Sequence, residues 1–379
     1  MGLTLGIDAS RSRSGGAIAH LKGILSVIEP SHYGISKIHL WGYEKLNEQI
    51  PGRRWLIKHS PEASKKNIIN QLAWQYFILP RELEKYGCNL VFNTDAGSVC
   101  AFKPSVTLSQ DMLSYEPGEI NRFSIFSRSR LRLELLRFIQ NRSFRNSSGV
   151  IFLTDYARRT IEKSCGPIEC YRIIPHGVGQ EFNNKYSGKE LNGKEARLLY
   201  VSNAELYKHQ WNVVKAAARL RKKGLRVNLL LIGGGKGAAQ FKLEAAMKRE
   251  DPSGEFIRQI GFVQNDLIPT YLANADVFIF ASSCENMPIT LLEAMASGLP
   301  IACSNRGPMP ELLRDGGVYF DPEKPEEISV AIEAILKDSV FARKIGSKAR
   351  QIAREYSWEK CANETFRFLS EIGQKEGLL

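Results

Sequence analysis

The chain has 379 residues, enough for two domains, and its 43% hydrophobic and 9% aromatic content is typical of a folded globular protein. The formal net charge of +12 points to nucleic acid or an anionic surface as a partner, but no zinc-finger or RNP pattern supports nucleic acid. No apolar run approaches the roughly 20 residues that cross a bilayer, and the first residues lack a signal-peptide pattern.

Cysteine and histidine spacing predicts neither a disulfide framework nor a metal site. The seven cysteines include no Cys-x-x-Cys pair, and several lie in apolar strand or helix patterns, which favours reduced cysteines in a cytosolic protein. The six histidines show no metal-ligand spacing, and the sequence contains no Asp-x-Asp. We therefore expect no bound metal and no other cofactor.

Strands and helices alternate along the first half of the chain, which is typical of a parallel sheet covered on both faces. Strands are predicted at Leu3–Ala9, Ile35–Trp41, Asn89–Thr94, Ser105–Ser109, Val150–Thr154 and Tyr171–Pro175. Helices are predicted at Ala17–Ile28, Asn67–Tyr86, Ser129–Asn146 and Tyr156–Ser164.

A polar, Gly- and Asn-rich stretch then predicts a linker at residues 180–196, and the same alternation starts again behind it. Strands are predicted at Arg197–Ser202, Val227–Gly233, Phe256–Val263, Ala275–Ser282 and Pro300–Ser304, and helices at Lys208–Lys222, Gln240–Lys248, Asp266–Ala273 and Ile289–Ala296. Further helices close the chain after Pro325. The predicted domains are residues 1–179 and 197–357, with a last helix at 358–379, and a ligand cleft is expected between the two domains.

Three positions in the first half place chemically useful residues at strand ends. Gly15 and Gly16 follow the first strand, where glycines let the backbone approach a phosphate, although an ordinary turn also explains them. Asp111, preceded by Gln110, ends a strand and is expected either to orient sugar or acceptor hydroxyls or to cap the next turn. His176 is interpreted mainly as part of a turn before the linker, with a ligand contact as the alternative.

Much of the positive charge lies between Arg122 and Arg145, where seven arginines accompany one acid, Glu134, and alternate with leucine and phenylalanine. This pattern predicts a basic amphipathic helix. Such a helix binds an anionic membrane surface, binds nucleic acid or remains a solvated outer helix, and we favour the membrane surface.

Two loops in the second half point to phosphate binding. Lys208 lies between a strand and a helix, where its charge would neutralise a pyrophosphate leaving group. A surface lysine is the alternative, but the helix dipole disfavours one at a helix start. The stretch from Ile232 to Ala238 contains G-x-G-x-x-A, yet the acid that a dinucleotide site needs about 20 residues later is not clear. We therefore reject NAD binding and expect Gly234 and Ile260 to border a different nucleotide.

The stretch from Glu285 to Glu293 is the most informative part of the chain. It follows an apolar strand and opens a helix that Gly298 ends, so Glu285 is predicted in the loop and Glu293 in the first helical turn. Free amides at that turn favour phosphate. Two acids beside an anion site predict a ligand with both hydroxyls and phosphates, such as a sugar nucleotide. Alternatively, Glu293 balances the helix dipole and Glu285 is a solvated loop residue.

Together these motifs resemble the retaining glycosyltransferases of the GT-B fold, specifically the large family four, also called group 1. The resemblance is strongest from Leu198 to Pro322. It implies two Rossmann-like doubly wound α/β domains that face a cleft, with the C-terminal helix crossing back to the first domain. It also implies metal-independent transfer of a hexose or deoxyhexose, first of all mannose from GDP-mannose, with UDP- and dTDP-linked sugars as alternatives.

The resemblance further implies a setting, namely assembly of a bacterial surface polysaccharide such as O-antigen. The acceptor would be a lipid-linked or growing glycan, and the protein would be cytoplasmic and peripheral on the inner face of the plasma membrane. Two other functions stay open: a GT-B-like nucleotide-sugar epimerase, and a catalytically silent partner that binds donor or glycan inside a transferase complex.

The resemblance assigns roles to individual residues. Glu293 would hold the donor ribose hydroxyls, Glu285 would contact the transferred sugar, and Lys208 would bind the phosphates. The catalytic candidates are Glu285, Asp111 and Lys208; Gln110, Asp111 and His176 are the acceptor or sugar contacts. The donor-binding candidates are Gly15, Gly16, Ser202, Lys208, Gly234, Ile260, Glu285, Asn286, Met287, Pro288, Ile289 and Glu293.

Three positions depart from the family pattern. Gln110 stands where the family often has histidine, and Ser202 stands where it has the arginine that precedes the phosphate lysine. Pro288 replaces a usual glycine and removes one N–H from the donor loop.

Overall fold

The computed structural model describes residues 2–13, 15–183 and 195–379. Residues 184–194, most of the predicted linker, lie outside the described part. The chain divides into two compact units. Unit 1 comprises Met1–Gly177 together with Ser357–Leu379, and unit 2 comprises Val178–Tyr356.

Unit 1 contains a seven-stranded sheet whose paired strands are all parallel, in the order β3-β2-β1-β4-β5-β6-β7. The strands are β1 Leu3–Ala9, β2 Ile35–Gly42, β3 Leu56–His59, β4 Leu90–Asn93, β5 Ser105–Leu108, β6 Gly149–Phe152 and β7 Tyr171–Ile173. The helices are α1 Gly15–Val27, α2 Glu44–Gln49, α3 Ile68–Phe77, α4 Leu79–Lys85, α5 Arg128–Asn146, α6 Asp155–Cys165 and, at the chain end, α14 Trp358–Lys375.

The predicted helix Asn67–Tyr86 is two helices, because α3 ends at Phe77 and α4 begins at Leu79. Pro80 lies in the first turn of α4, where it has no N–H to continue the hydrogen bonding of α3. The sequence also gave no sign of β3 or α2. Each is short, and Leu56 is the one buried residue of β3, so neither element carries a periodic apolar pattern.

The last helix packs on unit 1, as expected from the resemblance. Arg172 of β7 donates two hydrogen bonds to Glu371 of α14, at 3.1 and 2.8 Å. Tyr33 donates to Asn363 at 2.9 Å, and Gly149 of β6 lies against the ring of Phe368. The prediction of a C-terminal helix that returns to the first domain is confirmed.

Unit 2 contains a six-stranded parallel sheet in the order β10-β9-β8-β11-β12-β13. Its strands are β8 Ala196–Val201, β9 Val227–Ile232, β10 Ile257–Ile260, β11 Val277–Phe280, β12 Ile301–Ser304 and β13 Val318–Phe320. Its helices are α7 Gln210–Lys222, α8 Ala238–Glu250, α9 Ile268–Asn274, α10 Ile289–Ser297, α11 Met309–Leu313, α12 Pro325–Lys337 and α13 Ser339–Ala353. The predicted α/β architecture of two doubly wound domains is confirmed.

Two general features follow from the same structure. All seven cysteines lie in the described part, and none of them forms a disulfide there. In that part of the chain, no helix combines the length and apolar character that crossing a membrane requires.

Close packing of α13 on α10 gives a stability prediction. A methyl group on Gly346 of α13 would overlap the backbone carbonyl oxygen of Gly298, which ends α10 in a left-handed conformation with φ of 76°. We expect Gly346→Ala to lower the free energy of unfolding by about 1–3 kcal/mol, because backbone cannot yield as a flexible side chain does. Urea unfolding followed by circular dichroism measures this. Gly261→Ala is the matched control, since open space surrounds Gly261, and equal effects of both changes would contradict the prediction.

Candidate functional site

An ion pair lies at the carboxyl edge of the unit 2 sheet. Lys208 is in the loop after β8, and Glu285 is in the loop after β11, the strand next to β8. The Lys208 Nζ donates a hydrogen bond to Oε1 of Glu285, and the two side chains are only 13% and 14% exposed. Because burial makes an unpaired charge costly, each of these two side chains stabilises the charge of the other.

The surroundings of Lys208 hold it in place. Its ammonium group lies 5.2 Å from the ring centre of Tyr207 and 5.6 Å from that of Phe280, distances at which a cation is attracted to an aromatic face. The hydroxyl of Tyr200 donates to the carbonyl oxygen of Lys208 at 2.9 Å. Lys208 therefore lies in a strand-to-helix loop, as predicted, and these contacts hold its charged side chain in place.

His209 was not identified from the sequence, although it follows Lys208 directly. Its backbone is left-handed, with φ of 46° and ψ of 29°, which is unusual for a residue other than glycine. The ring is buried, and its Nε2 lies 2.8 Å from the hydroxyl of Ser283 in the loop after β11. The backbone N–H of Ser283 in turn donates to the carbonyl oxygen of Tyr207 at 2.8 Å. These bonds join the loop that carries Lys208 to the loop that carries Glu285.

Substitution of His209 tests this joining. We expect His209→Gly to keep the thermal stability within a few degrees, because glycine adopts the left-handed backbone without strain. It should still lower kcat/KM of the proposed reaction about tenfold, since losing one hydrogen bond costs about 1–2 kcal/mol. His209→Ala should lose both activity and stability. Full activity of the glycine variant would show that the ring does not position Lys208.

Glu293 lies in α10, but not where the sequence placed it. Pro288 caps the helix and Ile289 is its first residue, so Glu293 is the fifth residue and lies in the second turn; the predicted first turn is wrong. The residue is buried, and burial raises the pKa of its carboxyl group from 4.5 to about 8, which a side-chain hydrogen bond with Asn265 partly offsets and Glu181 reinforces. A neutral buried carboxyl group at pH 7 is chemically unusual, and it can accept two hydroxyl hydrogen bonds once ionised.

The loop from Glu285 to Ile289 approaches the start of α10 as a buried segment. Asn286 and Met287 are each 5% exposed. Pro288 has φ of −78° and contributes no N–H. The carbonyl oxygen of Pro288 accepts from the N–H groups of Leu291 and Leu292 at 3.1 and 3.3 Å. The N–H groups ahead of these two are the ones that a helix start can offer to an anion.

The glycine-rich loop after β9 borders the same sheet edge. Gly233 has φ of 115° and lies directly against the carbonyl group of Ser202, so a side chain there would be both strained and blocked. The carbonyl oxygen of Gly234 accepts from the N–H of Ala204 at 3.1 Å. Ser202 Oγ accepts from Gln210 at 3.2 Å. Half-buried Ile260 ends β10 opposite the end of β9, so these predicted donor residues share one edge.

In unit 1, Gly15 and Gly16 open α1 as expected, and nothing lies within 4 Å of the position that a methyl group on Gly15 would take. Asp111 Oδ1 accepts the backbone N–H of Leu113 at 3.0 Å, which is the turn-capping alternative. Burial raises the pKa of Asp111, and the Leu113 hydrogen bond counteracts it. Its neighbour Gln110 is half-buried. A role in acceptor binding stays a prediction for Gln110 and Asp111.

His176 lies in a buried aromatic cluster of unit 1. Its Nδ1 is 3.1 Å from Nδ1 of His20, and its ring centre is 6.0 Å from that of Trp358 at the start of α14. Burial lowers the pKa of His176 well below 6.5, and His20 lowers it further. This environment matches the structural interpretation of His176, and its contact with a ligand stays a prediction.

The sequence analysis missed a polar group at the ends of β1 and β4. Asp8 is fully buried and accepts hydrogen bonds from Ser10 Oγ at 2.7 Å, Ser98 Oγ at 3.0 Å and Gln75 Nε2 at 2.7 Å. Burial raises its pKa, and these bonds lower it in part. Arg11 lies 3.5 Å from Asp95. The only signal for this group was the polar run that starts at Asp8, directly after an apolar strand.

Two parallel, doubly wound α/β units in one chain are the architecture of the GT-B fold. Residues 182–352 match the family model described as glycosyl transferases group 1.

Glycosyltransferases are also among the similar proteins. The chain is 29% identical over 167 residues to O-antigen chain mannosyltransferase B of Escherichia coli, which covers 44% of each chain. It is 25% identical over 256 residues to a GDP-mannose-dependent alpha-(1-6)-phosphatidylinositol monomannoside mannosyltransferase of Mycobacterium tuberculosis, covering 62% of this chain and 65% of that protein. The matched region thus spans about half to two thirds of these relatives' length.

Solved structures show the same fold. Sucrose-phosphate synthase from Thermosynechococcus elongatus matches with a TM-score of 0.79 at 16% identity, covering 98% of this chain and 100% of that one. Anabaena Alr3699/HepE in complex with UDP matches with a TM-score of 0.70 at 18% identity, covering 97% and 100%.

Proposed function

We propose that this protein is a retaining, metal-independent glycosyltransferase that moves a hexose or deoxyhexose from a sugar nucleotide to a glycan acceptor. The observation that carries the proposal is the buried Lys208–Glu285 pair at the carboxyl edge of the unit 2 sheet, followed along the chain by the buried Glu293, in a region that matches the group 1 glycosyltransferase model. The mannosyltransferase relatives make GDP-mannose the first candidate donor, and the UDP complex of a structural neighbour makes UDP-sugars the alternative.

Each residue of the unit 2 site has a chemical task in this proposal. Lys208 binds the donor diphosphate and stabilises the negative charge that grows as the bond between C1 of the sugar and the phosphate oxygen breaks. Amides at the start of α10 face the same charge. Glu293 accepts the two ribose hydroxyls, and Glu285 binds a hydroxyl of the transferred sugar. Lys208 thus supplies the positive charge that a divalent metal supplies in other transferases.

Retention of configuration follows if the acceptor oxygen attacks the face of C1 that the phosphate leaves. The acceptor hydroxyl then loses its proton to the departing phosphate oxygen, while the new bond from C1 to the acceptor oxygen forms. Asp111 is proposed to orient that hydroxyl. Its raised pKa suits a hydrogen-bonding group better than a strong base.

The acceptor is proposed to be a lipid-linked or growing polysaccharide, as in O-antigen assembly on the inner face of the plasma membrane. The similarity to an O-antigen mannosyltransferase supports this setting. So do the arginines between Arg122 and Arg145, which suit an anionic lipid surface.

A panel of nucleotides tests the donor assignment. Thermal unfolding is measured with GDP, UDP, dTDP and their sugar conjugates in the presence of a metal chelator. We expect GDP and GDP-mannose to raise Tm most, since a ligand that binds only the folded state stabilises it. NMR of the product then reports the anomeric configuration. Absence of any nucleotide effect, or a strict need for metal, would contradict the proposal.

A further inference from the structure

Exposed apolar side chains of the described part are concentrated in two stretches of unit 1. Of the twenty large apolar side chains that are exposed, ten lie in residues 68–78 and 125–138. Phe126 is 97% exposed and Ile69 is 74% exposed. The α3 surface is Ile68, Ile69, Tyr76, Phe77 and Ile78, and the α5 surface is Ile125, Phe126, Leu131, Leu135 and Phe138. Such clustering marks an interaction site, because single exposed apolar residues are common but patches are not.

Helices α3 and α4 cover the face of the unit 1 sheet opposite α14. Leu3 of β1 contacts Gly373 of α14, whereas Gly6 of the same strand lies against Leu83 of α4. Residues 3 and 6 point to opposite faces, because side chains alternate along a strand. Trp74 of α3 packs in the same apolar cluster as Leu83.

Helix α5 covers that same face. Gly149 of β6 lies against Phe368 of α14, whereas Phe152 of β6 pairs with Phe144 of α5 at 5.9 Å between ring centres. Residues 149 and 152 again point to opposite faces. The right-handed rule for crossovers between parallel strands gives the same result. The connection from β3 to β4 contains α3 and α4, and the connection from β5 to β6 contains α5. Both connections run in the same direction across the sheet, so their helices lie on the same face. The α3 surface and the α5 surface therefore lie on one face of unit 1.

The charge around these two surfaces is positive. Residues 119–145 contain seven arginines and two acids, Glu119 and Glu134, so the net charge is 7 − 2 = +5. Around the α3 surface, residues 62–85 contain four basic and three acidic residues, so the net charge is 4 − 3 = +1, and Lys65 is paired with Glu44 and Glu62. Apolar side chains surrounded by basic ones complement an anionic lipid surface, where each kind of side chain has a partner.

We propose that the α3 surface and the α5 surface together form a docking surface for an anionic lipid bilayer. Their apolar side chains enter the boundary between headgroups and acyl chains, and the arginines bind lipid phosphates. The inference rests on the membrane association proposed above and adds α3 as a second, independent contact. A surface with two helices also fixes the orientation of unit 1 on the membrane, which one helix cannot do.

This orientation brings the sheet edge of unit 1 that carries Asp111, the proposed acceptor contact, to the bilayer. Gln75 of α3 donates to Asp8 at the end of β1. Arg132 of α5 acts on the carboxyl group of Asp111, beyond the end of β5, and lowers its pKa against the larger effect of burial. Only β4 separates β1 from β5 in the sheet, so the ends of these two strands are roughly 10 Å apart. A lipid-linked acceptor would thus present its head group next to Asp111 while its tail stays in the membrane.

Vesicle binding tests the proposal with the full chain and no donor. Sedimentation with phosphatidylcholine vesicles is compared with vesicles that contain about 30% phosphatidylglycerol. We expect binding only to the anionic vesicles. The double variants Ile69→Asp with Phe77→Asp, and Leu135→Asp with Phe138→Asp, should each weaken it at least about tenfold. Val340→Asp in unit 2, also an exposed apolar residue, is the matched control and should bind as the wild type does.

Each outcome separates the proposals. An α3 variant that binds like the wild type would overturn the two-helix surface, even if the α5 variant fails to bind. Absence of binding by the wild type at low salt would overturn membrane docking altogether. A dimer that the α3 variant dissociates would identify a second copy as the occupant. Thermal shifts by nucleotides, measured on the same variants, should stay unchanged; their absence in the wild type would instead count against the glycosyltransferase proposal.

Discussion

Glu285→Gln is expected to lower kcat for sugar transfer by about 10²- to 10³-fold, while nucleoside diphosphate affinity stays equal or rises slightly. Glutamine keeps the size of the side chain but releases Lys208 from its ion pair. The free ammonium group then has only the donor phosphates as an anionic partner, which favours binding. The proposed contact of Glu285 to the transferred sugar is weakened at the same time, so we expect binding and turnover to change in different directions.

Substitution of Lys208, the other member of the pair, is expected to change binding and turnover in a different way. Lys208→Ala removes the cation proposed to bind the diphosphate and leaves Glu285 buried without the Lys208 partner. We expect nucleoside diphosphate affinity to fall about 10- to 100-fold together with kcat. The two single changes should be non-additive in the double variant, because each already breaks the same pair.

Single-turnover transfer and calorimetric binding of the diphosphate measure both patterns. Lys215→Ala in α7 is a suitable control, since this lysine contacts Asn212 and not the sheet edge. A Glu285→Gln variant with unchanged transfer would favour a silent donor-binding partner over an enzyme. Equal losses of binding in both single variants would show that the pair only supports the loop.

The sequence predicted the fold well where a strand is a continuous apolar run. β1 has its predicted bounds, and β12 differs by one residue. The sequence analysis did not predict β3 and β13, which have four and three residues and little buried surface. Their strand conformation depends on pairing with β2 and β12, and no local pattern reports such pairing. The break between α3 and α4 depends on Pro80 alone. The apolar periodicity continues across this proline, so the sequence analysis predicted one long helix.

The site was predicted at the level of loops but not of contacts. Lys208 and Glu285 were each placed at a strand end, yet their pairing depends on β8 and β11 being neighbours although two other strands separate them in sequence. His209 has no sequence signal, because a left-handed histidine is recognised only from backbone angles. Glu293 was placed one turn too early, because the helix begins at Ile289 and not in the preceding loop.

The second large expected effect is a pH dependence of nucleotide affinity that Glu293 causes. The raised pKa of about 8 means that this carboxyl group is mostly protonated in the free protein at pH 7. Ribose hydroxyls donate to an ionised carboxylate, so nucleotide binding should expel the proton. We expect affinity to rise by up to about tenfold per pH unit below pH 8 and to level off above it.

Calorimetry in buffers of different ionisation enthalpy measures the proton directly. Binding at pH 7 should release about 0.9 proton per nucleotide, which is the protonated fraction for a pKa of 8. Glu293→Gln should release none from this site and should bind about 10- to 100-fold more weakly at pH 8, because a hydrogen bond to a charged group is lost. Binding independent of pH in the wild type would contradict the assignment of the ribose to Glu293.

Stability should change in the opposite direction to binding. In the unfolded chain the Glu293 carboxyl group ionises near pH 4.5, whereas in the folded protein it stays protonated up to about pH 8. Between these values the unfolded state binds fewer protons, so the free energy of unfolding falls as pH rises, by up to about 1.4 kcal/mol per pH unit. Glu293→Gln removes this loss, and the variant should be more stable than the wild type at pH 8 and not at pH 4. A residue that destabilises its own fold but strengthens nucleotide binding serves the ligand, whereas a less stable glutamine variant at pH 8 would assign Glu293 to the core.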